Sequence, residues 1–206
     1  MVVKVYYFNV RGLGEPIRII LSYGGEEFED IRAPFTGIPS PLPPEIKSKC
    51  TWGQVPLVEF DGKKLGQSLA ITRYFAKKFD LVPKDDFQAA LCDEYVDACR
   101  DFSSSWMRAV LEKDESKRAE IMKEIYESTK ERFLSTFNSI IEGSGGKHLV
   151  GDSLTWADIY LFHSVTGIPI VNDNLDDFPA IKSLVENVAN TPKIKEWLKK
   201  RPVTVF

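Results

Sequence analysis

The residues whose types and spacing could do chemistry lie in one run, Trp52 to Ile71. Val55-Pro56 stands just before an apolar, strand-like stretch, Leu57 to Phe60. A proline has no N–H to give to a ladder, so it belongs at a strand's first residue or on an edge. An X-Pro bond is also the one place where a cis peptide is cheap, and a cis bond here would turn the backbone N–H and C=O of Val55 outward. Asp61-Gly62 is a hairpin signal, with β-compatible residues following at Lys63 to Leu65. Gly66-Gln67-Ser68 then opens a segment with helical spacing through Leu69, Tyr74, Phe75 and Phe79. Free N–H groups and the positive end of the helix dipole place Ser68 where a carboxylate would be held. The chemistry implied is docking of something peptide-like along a strand edge, beside an anion site.

The elements that must position this run follow from the rest of the chain. Val2 to Phe8 is β-branched and aromatic, a strand by composition. Gly12-Leu13-Gly14 breaks it, and Glu15-Pro16 suit the first turn of a helix that carries Ile17, Ile20, Leu21 and Tyr23 up to Gly24-Gly25. Phe28 to Arg32 reads as a second strand, parallel to the first by the crossover rule. Residues 33–44 hold five prolines and are a loop, and Glu45–Lys49 is a short turn. The order β-α-β, loop, β-hairpin, helix is a thioredoxin-like arrangement. After Asp80–Asp86, the predicted linker, the pattern becomes helical only. Phe87, Leu91, Tyr95, Ala98 and Phe102 mark one face of a long helix, and Ile121 to Ile141 keep i, i+4 spacing up to a glycine-rich stop. Thr155-Trp156-Ala157-Asp158 is a capping box with Leu154 and Ile159 at the staple positions, and short helices are predicted over 180–190 and 193–200. The expected organisation is an α/β domain over 1–79, a linker at 80–86 and an all-α domain over 87–206.

Composition narrows the function classes. The chain has 206 residues, 43% hydrophobic and 28% charged, with net charge −3. A weakly acidic chain without a Lys/Arg stripe argues against nucleic acid as partner. No apolar run approaches the ~18 residues of a membrane span. The N-terminus reads as a strand without the layout of a signal peptide. Three cysteines, at 50, 92 and 99, make no disulfide framework, and Cys92 and Cys99 on one helix would lie about 10 Å apart along its axis. A cytoplasmic, reducing location is expected. His148 follows two glycines and His163 lies on a helix without a second ligand, so no metal is expected.

Five motifs in order, Tyr7-Phe8-Asn9-Val10-Arg11-Gly12 with Glu15-Pro16-Ile17-Arg18, Gly53-Gln54-Val55-Pro56, Gln67-Ser68-Leu69-Ala70-Ile71, Ser153 to Asp158, and Lys200-Arg201-Pro202, resemble the cytosolic glutathione S-transferases. The Tyr-Phe start and the C-terminus are similar to the sigma class, with its nematode and insect members and its prostaglandin D synthase branch. The resemblance implies a homodimer that binds glutathione and small hydrophobic electrophiles, without metal. It implies that Tyr7 donates its hydroxyl to the glutathione sulfur. Val55, beside a cis Pro56 and following Gly53 and Gln54, would pair with the cysteinyl unit. Gln67 and Ser68 would hold the γ-glutamyl carboxylate, Lys47 would meet the glycine carboxylate, and Asp101 would reach across the dimer to the γ-glutamyl ammonium. Phe8, Leu13, Phe102, Trp106 and Phe206 are the residues it offers to an electrophile. Tyr6 and Tyr7 point to opposite faces of their strand, and both faces hold apolar residues. Only the family motif selects Tyr7.

Some positions depart from the pattern. Pro43 stands where much of the family has a tryptophan for the glycine end, inside a longer proline-rich loop. Leu13 stands where vertebrate prostaglandin synthases have an arginine. Asp97, Arg100 and Asp101 replace an acidic cluster, and Arg100 argues against a shared divalent ion. Three readings differ in class: a glutathione-conjugating enzyme for detoxification, a non-catalytic binding or structural protein on the same fold, and a thioredoxin-type oxidoreductase. The last lacks a Cys-x-x-Cys pair. Peroxide reduction and prostaglandin isomerisation would use the same thiolate as conjugation.

Overall fold

The computed structural model describes residues 2–172 and 175–204. Its chain forms two compact units, Met1–Leu81 with Asn190–Phe206, and Val82–Ala189.

The first unit is built on a four-stranded sheet in the order β2-β1-β3-β4. β1 (Val3–Phe8) pairs in parallel with β2 (Phe28–Ala33), with Val3 opposite Phe28 and Phe8 opposite Ala33. The crossover between them is α1 (Glu15–Gly24), entered through a 3-10 turn at Gly12–Gly14. β3 (Leu57–Phe60) runs antiparallel to β1 and turns into β4 (Lys63–Gly66). The two-residue turn has positive φ at both Asp61 (47°) and Gly62 (72°), the twist that matches a right-handed hairpin. α2 (Pro44–Lys47) is a single turn after the proline-rich loop, and α3 (Ser68–Lys78) follows β4. Val5, Ile17, Ile20, Val58, Ile71 and Phe75 are fully buried, so one face of the sheet is sealed by α1 and α3. On the other face Tyr6, Leu57, Ile46 and Cys50 form a smaller cluster with Phe8 and Val55 packed against it.

The second unit is helical. α4 (Asp86–Leu111) is capped by Asp85, whose carboxylate accepts from the Gln88 N–H at 2.9 Å. The buried stripe of α4 is Cys92, Val96, Cys99, Phe102 and Ala109, and Phe87 is 72% exposed. Of the face expected from Phe87, Leu91, Tyr95, Ala98 and Phe102, Phe102 is buried as expected, and the rest of the stripe is displaced by one position. Small side chains at 92, 96 and 99 let α7 approach closely, and that packing outweighs the larger aromatic pattern. The single helix expected over 121–141 is α5 (Glu115–Glu124), a π turn at Ile125–Thr129 and α6 (Lys130–Gly143). α7 (Trp156–Gly167) opens with the expected capping box: the Asp158 carboxylate accepts from the Thr155 N–H at 2.7 Å. α8 (Pro169–Asn172), which the sequence did not announce, and α9 (Pro179–Asn190) complete this unit's helices.

α10 (Pro192–Lys200) packs on α1, although its sequence continues a purely helical run. Ile194 and Trp197 are its buried residues, at the i, i+3 spacing of one narrow stripe.

Candidate active site

Tyr7 lies near the end of β1, 9% exposed. Its ring rests on the 3-10 turn that leads into α1. The Leu13 N–H donates to the phenolic oxygen at 3.1 Å. Close packing explains the two glycines of that turn. A Cβ on Gly14 would lie 2.7 Å from the ring, and one on Gly12, which also has φ +38°, would lie 2.8 Å from the hydroxyl oxygen. Beside the ring, 5.8 Å from its centroid, is the guanidinium carbon of Arg18, a side chain with no exposed surface.

Arg18 is fixed by several bonds. Its Nη1 donates to the carbonyl of Val10 at 2.9 Å and lies 3.4 Å from the Glu15 carboxylate. Its Nε donates to Asp30 at 2.9 Å, and Asp30 also accepts from Arg32 at 2.7 Å. Glu15 is 1% exposed and accepts from Trp197 Nε1 at 2.8 Å and Arg201 Nη1 at 2.9 Å. Burial works against its charged form. The Trp197 hydrogen bond and the charges of Arg18 and Arg201 more than offset that, so the carboxyl sits below its ordinary range. Read from the sequence, Glu15 has only a helix-start role in this cluster. A signal was present: Arg18 interrupts the run Ile17 to Leu21, where any charge must be buried and therefore paired.

Tyr6 has a different environment. Its hydroxyl donates to Glu59 at 2.6 Å, and Lys49 Nζ lies 3.3 Å from the same oxygen. Burial and the bond to Glu59 push its pKa up to about 12, so it stays a neutral phenol at any physiological pH.

The remaining first-unit candidates sit on loops and helix ends. The β1–β3 ladder ends at Leu57, so Val55 lies two residues beyond it, and the Val55-Pro56 bond is cis, as is Ile38-Pro39. Gly53 has φ +62°, with the aliphatic part of Lys47 beside it; Lys47 and Gln54 are exposed. Gln67 precedes α3 with φ +70°, a conformation that a non-glycine residue seldom adopts. Its side chain makes no capping bond, whereas the Asp85 and Asp114 side chains cap α4 and α5. Ser68, the first residue of α3, is buried. Phe8 and Leu13 are half-buried.

In the second unit Asp101 is exposed on α4 and Trp106 is half-buried, while Phe102 is buried and stacks on Phe133 with ring centroids 4.4 Å apart. Phe206 lies outside the described residues. Cys50, Cys92 and Cys99 are free and buried, and desolvation raises all three thiols, Cys99 to about 12. Among the described residues no three His, Cys, Asp or Glu side chains gather as a metal site, and no helix is long and apolar enough to cross a membrane.

A buried tyrosine at the end of the first strand, a cis-proline edge and an open helix start are carried on a thioredoxin-like unit that is followed by helices. Residues 3–77 match the family described as glutathione S-transferase, N-terminal domain, and residues 100–201 the glutathione S-transferase C-terminal domain. The chain belongs to the glutathione S-transferase family. It is 37% identical to Glutathione S-transferase 3 of Caenorhabditis elegans, over 98% of each chain. Among solved structures it resembles prostaglandin synthase D of Nilaparvata lugens, with TM-score 0.89 and 38% identity over 99% of this chain and 100% of that one. It also resembles the monomeric glutathione S-transferase Na-GST-3 of the hookworm Necator americanus, with TM-score 0.84 and 35% identity over 100% of each chain. The family uses glutathione as co-substrate with electrophilic partners, and the enzymatic class of this chain follows from it.

Proposed function

We propose that this chain is a sigma-class glutathione transferase in which Tyr7 stabilises the glutathione thiolate for attack on an electrophile, a detoxifying reaction in the cytoplasm. The observation that carries the reading is the bond from the Leu13 N–H to the Tyr7 oxygen. A donor to that oxygen polarises the O–H and makes it a stronger donor in turn. Only thiolate is a good nucleophile, and an unperturbed thiol, pKa about 8.5, is mostly protonated at neutral pH. Lowering that value by about two units asks for roughly 2.7 kcal/mol of preferential stabilisation. A charge-assisted hydrogen bond in a partly dry site, with Arg18 beside the ring, is of that order.

The first unit supplies the glutathione groups: Gly53, Gln54, Val55 and Pro56 for the cysteinyl backbone, Gln67 and Ser68 for the γ-glutamyl carboxylate, and Lys47 for the glycine end. The uncapped start of α3 supports the second of these. Phe8, Leu13 and Trp106 remain the proposed electrophile residues, whereas the ring of Phe102 is taken up by Phe133. Three free, buried thiols support a reducing location. The proposal includes a homodimer in which Asp101 of one subunit serves the γ-glutamyl ammonium held by its partner. Prostaglandin isomerisation is a second reading, favoured by the likeness to the Nilaparvata lugens enzyme.

Titrating the thiolate absorbance of the enzyme–glutathione complex tests the proposal. Tyr7→Phe should raise the bound thiol's pKa towards the free value with little change in glutathione affinity, since the donor favours thiolate over thiol. Tyr6→Phe should leave that pKa in place. The reverse result would overturn the assignment.

A further inference from the structure

Tyr7 does not hold itself in place. The turn that supports it, Val10 to Gly14, hangs from Arg18, whose Nη1 meets the Val10 carbonyl at 2.9 Å and lies 3.5 Å from that of Arg11. Arg18 is in turn oriented by two carboxylates, Glu15 on its own helix and Asp30 on β2. Glu15 is gripped from the far end of the sequence by Trp197 and Arg201. All of these residues belong to the first unit. Buried charges of this kind are poor sources of stability, because desolvation cancels most of their attraction. Their value lies in fixing geometry.

We infer that Arg201 and Glu15 are positioning residues for the Tyr7 hydroxyl: Arg201 and Trp197 hold the Glu15 carboxylate, Glu15 orients Arg18, and Arg18 sets the turn whose Leu13 N–H meets the tyrosine oxygen. The inference rests on the proposed role of Tyr7. The charged groups around Glu15 are Arg11 from the turn, Arg18 from α1 and Arg201 after α10, with Asp30 and Arg32 of β2 behind Arg18. The Nη2 of Arg18 makes no hydrogen bond among the described residues. Losing its Glu15 bond therefore frees Arg18 to shift towards another acceptor.

A relay by position and a simple field effect predict different signs. If the charges acted only through space, neutralising Arg201 would raise the bound thiol's pKa and neutralising Glu15 would lower it. If they act by position, Arg201→Met and Glu15→Gln both misplace the turn, and both raise it.

The experiment is the thiolate titration of the glutathione complex in Arg201→Met, Glu15→Gln, the double variant, Arg201→Lys and Tyr7→Phe. The expected result is a rise of about half to one pH unit in each of the first two single variants. The double variant should show no more than either, because the two residues act on one element. Turnover should fall while KM for glutathione holds, and Arg201→Lys should recover part of the shift. Shifts of opposite sign, or a lowered thermal midpoint with the thiol pKa unchanged, would overturn the relay. Those outcomes leave the tyrosine reading standing as long as Tyr7→Phe raises the pKa. If Tyr7→Phe does not raise it, the tyrosine reading falls and takes the relay with it.

Discussion

At the scale of single residues, the nearest constraint on Tyr7 is an absence of atoms. Gly14 has an ordinary φ of −81°, so alanine fits its backbone without strain. The added methyl would nevertheless lie 2.7 Å from the Tyr7 ring. Backbone neighbours on the turn leave the ring as the part that must move. Gly14→Ala should therefore leave glutathione KM nearly unchanged and lower kcat by about tenfold to a hundredfold, the usual effect of a displacement near 1 Å at a reacting group. Steady-state kinetics with a standard aryl halide acceptor would read it; unchanged kcat would mean that the ring has room not visible in the packing. Tyr6, one residue away, is neutral at assay pH and engaged with Glu59 on the opposite face. The distinction between the two tyrosines was not legible from strand alternation, since apolar residues line both faces. Only the family motif selected Tyr7, and the fold sets that side chain against the turn before α1, with the Leu13 N–H on its oxygen.

At the scale of elements, α1 starts on a buried carboxylate whose charged form the fold prefers. A carboxyl with a lowered folded pKa adds stability that is fully present above its ordinary value of 4.5 and is lost as pH falls through the lowered one. Thermal midpoints measured downward from pH 5 should therefore fall, and Glu15→Gln should flatten part of that slope while lowering stability by about 3 kcal/mol at neutral pH. An identical acid limb in the variant would show that other carboxylates carry it. Much of the local structure was legible: Asp61-Gly62 for the hairpin, Pro16 for the start of α1, Thr155 to Asp158 for α7. In each case the determining atoms lie within a few residues of one another. The buried face of α4 was not legible, because Cys92 and Cys99 entered the sequence reading only as a pair too far apart to bridge, and their packing role shows only with α7 against them. The Glu15 cluster was hidden for the same reason, with partners 182 and 186 residues along the chain.

At the scale of the whole molecule, the open question is the number of copies that make a working enzyme. Asp101 is exposed on α4, and the Ser105 hydroxyl bonds to its carbonyl. In the proposed homodimer, dilution below the dissociation constant of the dimer should lower activity and glutathione affinity together, and Asp101→Ala should weaken affinity without changing the fold. The Necator americanus relative, described as monomeric, shows that the fold does not demand a partner. A dilute monomer with full activity would remove the cross-subunit role. The sheet unit begins the sequence, yet α10 and Arg201 reach it only after the whole of residues 82–189 has been made. At about 5–20 residues per second, synthesis leaves α1 without its last helix for on the order of ten seconds. During that interval α1 and its Glu15 carboxylate lack the cover that α10 brings. On the proposed relay, the Tyr7 hydroxyl of such a nascent sheet unit is not yet positioned by Arg201 and Trp197. On the proposed role of Tyr7, thiol activation is thereby deferred until Pro192–Lys200 and Arg201 have been made.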